Sequence, residues 1–410
     1  MISKKITLLD NIAGILIFFI CLSAVFPMFL LFFNNAILCL ICELLWLVIA
    51  FLRSRRIIFK ILVRYWYMQF YMFYTAFMPY IGKNPSIGNR YIYTFSIIFG
   101  FYIFLFYEEL GLLNLIGKVV YALVPFFLFT FFKTYMAAFQ NPWVLRQIDN
   151  STSVGLLSQG IGGYSYIYFL NLLFGVSIVS SFQCKGFIKV ISLCFSIIII
   201  ILVTLSNFFT AFSLCILCII IMVSRRYYRL LVPVLLAIVF LYVLDSSVIL
   251  DIEKFFLQFL SQDGRIFAVL SATGNKSLIN LFFEEFLRDR WPTLLMSIQA
   301  FIRNPFLGII KSPILNNGVY DTAYGQHSYI LDTFALYGFL IGFLNIFIML
   351  HPFFCYKVYI KSGMNYRKLL LIVIIVLTVF NNITHSIAIA STIICPYFVY
   401  KMNLFKYNRK

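Results

Sequence analysis

Ile191–Val203 reads ISLCFSIIIIILV, an uncharged run that contains five consecutive isoleucines. Extended to 188–205 it approaches the roughly 20 apolar residues that an α-helix needs to cross about 30 Å of hydrocarbon. Comparable runs stand at Ile12 to Leu31 and Leu369 to Phe380. Over the whole chain 63% of residues are hydrophobic and 11% charged, where soluble domains carry roughly a quarter charged. Apolar surface on this scale exceeds what one soluble core can bury, so its solvent is lipid. The chain therefore reads as an all-α integral membrane protein, and a soluble enzyme is excluded.

Windows of span length fall near 12–31, 35–52, 66–82, 91–107, 118–137, 164–182, 188–205, 207–223, 230–248, 328–350, 369–386 and 387–402. This predicts about 12 transmembrane helices in one polytopic unit, 1–410. The first run is longer than a signal-peptide core and no small-x-small site follows it, so it is expected to stay as a span. With the N-terminus inside, 21 of the 32 Lys and Arg fall on the inner side, among them Arg53, Arg55, Arg56, Lys60, Arg64, Arg225, Arg226 and Arg229. Short loops rich in these residues stay in the cytoplasm, which predicts both termini there. The net charge of +18 then follows from topology and attraction to anionic headgroups, with no nucleic acid required. The nine cysteines lie in spans or at their inner ends, so no disulfide is expected.

Two outer connections are long, 138–163 and 249–327, the latter a large loop between spans 9 and 10. The larger one carries Phe255, Phe256, Phe282, Phe283, Phe286 and Trp291, apolar bulk that predicts an ordered segment. Inside it, Asp289 and Trp291-Pro292 open a run with Leu294, Leu295, Ile298, Phe301 and Ile302 at helical spacing, ended by Arg303 and Asn304-Pro305. That pattern predicts a short amphipathic helix at the outer interface.

The loop balances Lys254, Arg265, Lys276, Arg288, Arg290, Arg303 and Lys311 against seven acids, Asp251, Glu253, Asp263, Glu284, Glu285, Asp289 and Asp321. Its arginines are thus either paired or reserved for an anion, and a guanidinium grips phosphate oxygens in bidentate fashion. His327, five residues before Asp332 at the mouth of the tenth span, is a candidate general base toward a hydroxyl, the alternative being a polar anchor. His351 and His385 have no acid or metal ligand at local spacing and read as structural. No metal-binding motif occurs in an outer loop, so neither metal nor cofactor is expected.

Arg290-Trp291-Pro292, the Arg303-Asn304-Pro305-Phe306-Leu307-Gly308 stop, then His327-Ser328-Tyr329-Ile330-Leu331 and Tyr337-Gly338 together resemble the O-antigen polymerase and ligase superfamily, in particular the Wzy-type polymerases. That family places an Arg before an amphipathic helix, an Asn-Pro-x-x-Gly-like stop, and a His followed eleven positions later by Gly. Here His327 and Gly338 keep the spacing, and Arg290 stands fifteen residues before Pro305. Thr204-Leu205-Ser206 resembles a family Thr-x-Ser turn, but Asn207 stands where many relatives have Arg, and Ile310 where a second Gly often follows.

The resemblance implies a GT-C-like, metal-independent glycosyltransferase in the bacterial inner membrane, with its active site facing the periplasm. Donor and acceptor would be oligosaccharide repeat units on undecaprenyl diphosphate, joined en bloc into O-antigen or a related surface polysaccharide. It also implies membrane lipid as a partner and allows a chain-length-regulating co-polymerase. Arg290 would hold diphosphate, with Arg265 and Arg288 in reserve. His327 would act as base, oriented by Asp332. Arg146 and Arg303 would contact diphosphate or glycan. Trp143, Tyr164, Tyr166, Tyr320, Tyr324 and Tyr329 are placed to stack on sugars, although aromatics are enriched at membrane interfaces anyway. A ligase moving glycan to lipid A core is the nearest alternative. A lipid-linked oligosaccharide flippase is the alternative of another class, disfavoured because Glu43 and Asp332 are nearly the only acids inside spans.

Overall fold

The computed structural model describes residues 6–29, 35–82, 91–141, 144–147, 154–206, 208, 210–224, 291–309, 328–361 and 364–407. Among them every regular element is helical. The main helices are α1 (Leu8–Val25), α2 (Asn35–Arg64), α3 (Trp66–Gly82), α4 (Tyr91–Leu110), α5 (Leu113–Gln140), α6 (Tyr164–Gln183) and α7 (Phe187–Leu205). They are followed by α8 (Thr210–Ser224), α9 (Trp291–Arg303), α10 (Tyr329–Cys355) and α11 (Met364–Phe380). The last, α12, joins three stretches, His385–Ile389, the π-helical turn Ala390–Ile394 and Cys395–Tyr407. Among the described residues seven helices are long and apolar enough to cross a membrane. The protein is thus an all-α membrane-spanning bundle. The window expected at 230–248, and the outer segment 249–327 apart from 291–309, lie outside the described residues.

Burial sorts the helices by role. α6 buries residues all round, from Tyr166 to Ser181, as a helix apolar on every face must when it occupies the centre of a bundle. α4 is equally enclosed between Thr94 and Tyr107. α7 packs beside α6 but leaves Ile191, Leu193, Ile197, Ile198 and Ile201 exposed, which is a lipid-facing stripe in a protein of this composition.

Ion pairs and hydrogen bonds tie together residues that the sequence placed on the same side. Asp10, which closes a capping box with Thr7, accepts from Arg53 Nε at 3.0 Å. Glu108 accepts from the Lys357 and Val358 amides at 3.1 Å each. Both connections lie at the end read as inner. At the other end Ser23 bonds His385, and Tyr329 bonds Asn381.

Two helices depart from regularity for identifiable reasons. Pro396 lacks the amide that would serve the Thr392 carbonyl four residues earlier, a loss that follows from its ring. The π-helical turn Ala390–Ile394 takes up the mismatch, and the buried Tyr356 hydroxyl donates to Thr392 O at 3.0 Å. The freed acceptor is thereby satisfied from a neighbouring helix.

In α10 the break is at Gly338, where φ is +74° and ψ −173°, a region essentially restricted to glycine. The broken turn exposes main-chain groups that a second segment uses. Phe339 N donates to Pro305 O at 2.7 Å and Ile309 N donates to Ala335 O at 2.9 Å. Gly308, at φ +68°, completes the contact. A Cβ on Gly338 would stand 2.2 Å from Phe306 O, and one on Gly308 2.3 Å from the Leu336 carbonyl carbon. Irregular backbone at membrane depth is tolerated only where protein satisfies it, and here the Asn304–Gly308 turn does so.

Candidate functional site

The sequence pattern set Trp291-Pro292 at the start of a short helix and Asn304-Pro305 at its end, and α9 spans Trp291–Arg303. Pro292 falls in the first turn, where no amide is needed. The face toward α10 buries Leu294, Ser297 and Ala300. The opposite face exposes Trp291, Leu295, Met296 and Ile302, continued by Phe306 and Leu307 of the turn and by Phe339, Leu340 and Phe343 of α10. This face is largely apolar, interrupted by exposed Gln299, with Arg303 exposed at its end.

α9 and α10 run side by side in the same direction. Ser297 Oγ donates to Asp332 Oδ1 at 2.6 Å, the Phe301 and Phe334 rings meet edge-on at 5.4 Å, and Pro305 reaches Phe339. Successive positions along one helix thus meet successive positions along the other. At a rise of about 1.5 Å per residue, Trp291 begins roughly 9 Å before Ser297, and Ser328 roughly 6 Å before Asp332. The two helix N-termini therefore open toward the same end. The positive end of a helix dipole favours an anion, and at α10 that place is already served from within the chain, Tyr329 N by Asn381 O and Leu331 N by Ser328 Oγ.

Ser328 caps α10, its side chain accepting from Leu331 N at 3.2 Å. Asp332, in the first turn, is wholly buried. Its charge suits the dipole there, and the Ser297 hydroxyl compensates part of its lost hydration. Tyr329 is likewise buried rather than presented to a ligand. Its hydroxyl bonds Thr94 and accepts from Asn345 Nδ2 at 3.1 Å, and its amide donates to Asn381 O at 3.2 Å. Tyr168 donates to Asn381 Oδ1 at 3.2 Å, so a polar layer joins α4, α6, α10 and the segment before α12.

The remaining sequence candidates divide clearly. His327, Arg290, Arg265 and Arg288 lie outside the described residues, as do Trp143, Tyr320 and Tyr324. His327 immediately precedes Ser328 in the chain, and Arg290 immediately precedes Trp291. Arg146 lies on the short helix Val144–Gln147, with its side chain outside the description. Tyr166 is buried and donates to Phe127 O at 3.3 Å, and Tyr164 packs at a tilt against Tyr168, ring centroids 4.6 Å apart. In the Thr-x-Ser turn both hydroxyls serve their own helix, Thr204 to Ile200 O at 2.8 Å and Ser206 to Val203 O at 2.7 Å. Among the described residues no group of three or more His, Cys, Asp and Glu is arranged to hold a metal.

Sequence reasoning missed one constellation. His385, read as a lone structural residue, meets Ser23 of α1 at 2.8 Å through Nε2 and Ser96 of α4 at 2.8 Å through Nδ1. Buried Glu43 of α2 faces the same ring. Glu43 inside an apolar helix was the available signal, because an intramembrane acid requires a partner. Its partner lies hundreds of positions away in sequence.

No protein-family model matches the chain, and no curated protein matches it.

Proposed function

We propose that the protein is a metal-independent glycosyltransferase that polymerises lipid-diphosphate-linked oligosaccharide units at the outer face of the bacterial inner membrane. The observation that carries this reading is the parallel registration of α9 with α10. The residues next in the chain before these helices are Arg290 and His327. Helices that start side by side give a guanidinium and an imidazole a common place to act.

The chemistry needs both groups. Departure of a lipid diphosphate develops negative charge, which Arg290 and the N-terminus of α9 stabilise without a cation. The acceptor sugar hydroxyl must lose a proton as it attacks, and His327 takes it. Asp332, engaged with Ser297, positions α10 against α9 and so sets the distance between base and anion site. The exposed, largely apolar face of α9 and the turn suits a helix lying along the bilayer surface, beside an entering polyprenyl chain. Arg303 at its end would meet headgroup or glycan phosphate.

The test is reconstitution of the purified protein with lipid-linked repeat units alone. A ladder of longer lipid-linked products is expected, and it should vanish in His327→Ala and Arg290→Ala. Product formed only when lipid A core is added would assign a ligase. Translocation of the lipid-linked unit without any new glycosidic bond would assign a flippase.

A further inference from the structure

Glu43, Ser96 and His385 are brought together from α2, α4 and α12, with Ser23 of α1 completing the group. All four are buried. The geometry fixes most of the protons. Nε2 of His385 lies 3.1 Å from the Ile20 carbonyl oxygen, which can only accept, so Nε2 carries a hydrogen. Ser23 Oγ donates its own proton to Ile20 O at 2.7 Å, so the single Nε2 hydrogen is shared between Ile20 O and Ser23 Oγ, the latter at 2.8 Å.

The other ring nitrogen is the open question. Nδ1 lies 2.8 Å from Ser96 Oγ, and the Ser96 hydroxyl also hydrogen-bonds the Glu43 carboxyl. Ser96 has a single proton to give. If it gives that proton to Nδ1, its oxygen must accept from a protonated Glu43. If it gives it to a Glu43 carboxylate, its oxygen must accept from a protonated Nδ1. Both arrangements keep the hydrogen bonds from the carboxyl through Ser96 to Nδ1, and both contain the same number of protons.

We propose that Glu43, Ser96 and His385 form an intramembrane proton-binding relay that holds one transferable proton between the carboxyl and the imidazole. In the forward step the carboxyl O–H bond breaks and its proton passes to Ser96 Oγ, while the Ser96 proton passes to Nδ1. The result is a carboxylate and an imidazolium, and the reverse step restores two neutral groups. Glu43 Oε1 has no hydrogen-bond partner among the described residues. The site thus retains an acceptor beyond the one used by Ser96.

The surroundings leave the proton to these groups. Among the described residues, the other titratable side chains facing the pair are the thiols of Cys39 and Cys42 on α2, with Cys21 of α1 behind Cys39. Cys39 Sγ sits 3.3 Å from Ser23 Oγ and 3.8 Å from His385 Nε2, on the side of the ring away from Ser96. From α6, which also contacts α12, Tyr168 commits its hydroxyl to Asn381. No Lys or Arg is among these groups, so the imidazolium is the counter-charge to Glu43. The relay lies at the same end of the bundle as Tyr329, since Thr94, its hydroxyl partner, is two residues from Ser96.

The proposal is independent of the glycosyl-transfer reading, and its test needs no substrate. Full-length protein labelled with ¹⁵N-histidine, which reports only His327, His351 and His385, is placed in lipid nanodiscs and followed by solid-state NMR across pH. His385→Asn identifies the signals. Wild type is expected to show Nε2 protonated and Nδ1 displaced toward the protonated position. In Glu43→Gln, which keeps shape and supplies no transferable proton, Nδ1 should return to the unprotonated position over the same pH range. Ser96→Ala should produce the same loss by cutting the path. Nδ1 signals identical in wild type and a folded Glu43→Gln protein would overturn the relay. Should that variant fail to fold, an unchanged Nδ1 in Ser96→Ala overturns it equally.

Discussion

Replacing Gly338 by alanine tests whether the main-chain contact between α10 and the Asn304–Gly308 turn holds α9 in place. The native φ of +74° with ψ near 180° costs a residue with a side chain about 1–3 kcal/mol in backbone strain. Relief by small movement is blocked, because the new Cβ would meet Phe306 O at 2.2 Å and Gly308 N at 2.8 Å, and both are backbone. The contact would have to open, losing the Phe339 and Ile309 hydrogen bonds at about 1 kcal/mol each. The combined loss is roughly 3–5 kcal/mol. It falls on the docking of α9, because the turn that continues α9 is held to α10 by these bonds.

Hydrogen exchange in detergent or nanodiscs reads this directly. The amides of Ile309 and Phe339 should exchange between roughly a hundredfold and several thousandfold faster in Gly338→Ala. Amides in the centre of α6 should be unchanged. Gly14→Ala is the matched control. Gly14 lies within α1, and its Cβ would make an ordinary 3.5 Å contact with Leu115, so it is expected to be neutral or stabilising by up to about 1 kcal/mol. A Gly338→Ala protein that keeps both amides protected would refute the argument that the glycine is required by the contact.

Ser297→Ala should weaken the same docking by about 1.5–3 kcal/mol, because buried Asp332 loses a donor to its charge. Asp332→Asn in that background should recover part of the loss, and exchange at Ala300 is a suitable readout. Tyr356→Phe should lower thermal stability by about 1–3 kcal/mol, since the Thr392 carbonyl freed by Pro396 is left buried without its donor. Thermal unfolding followed by tryptophan fluorescence checks this, and an unchanged midpoint would show the hydroxyl to be dispensable. Arg53→Met should destabilise the end that holds Asp10 by about 1–2 kcal/mol, because the acid is fully buried while Arg53 is one-fifth exposed. Asp10→Asn should be milder, since its capping contacts with Thr7 can be kept.

The helices were legible because lipid restricts the chain so severely. Runs such as Ile191–Val203 admit one interpretation, and the windows at 66–82, 164–182 and 188–205 fall within about a residue of α3, α6 and α7. α9 was legible from chemistry at its ends, with Pro292 just inside and Asn304-Pro305 just beyond. The irregularities were not. Ser54 interrupts α2 with extended backbone, and nothing in its neighbours announces that. Gly338 was visible as a spacing, but its role depends on Gly308 arriving from another segment. Asp332 could be placed beside His327 by counting, whereas its bond to Ser297 required the two helices to be registered. The meeting of Ser23 with His385 spans 362 positions, a separation at which local pattern carries no information.

The joint between Asn304–Gly308 and α10 is made by peptide groups, not side chains. Phe306, Leu307 and Phe339 point outward from it, 82%, 62% and 53% exposed. Their identities can therefore change freely, as long as they stay greasy, without loosening the grip. A fastener of this kind leaves only two small letters in the text, and distant versions of it could look unrelated while closing in the same way.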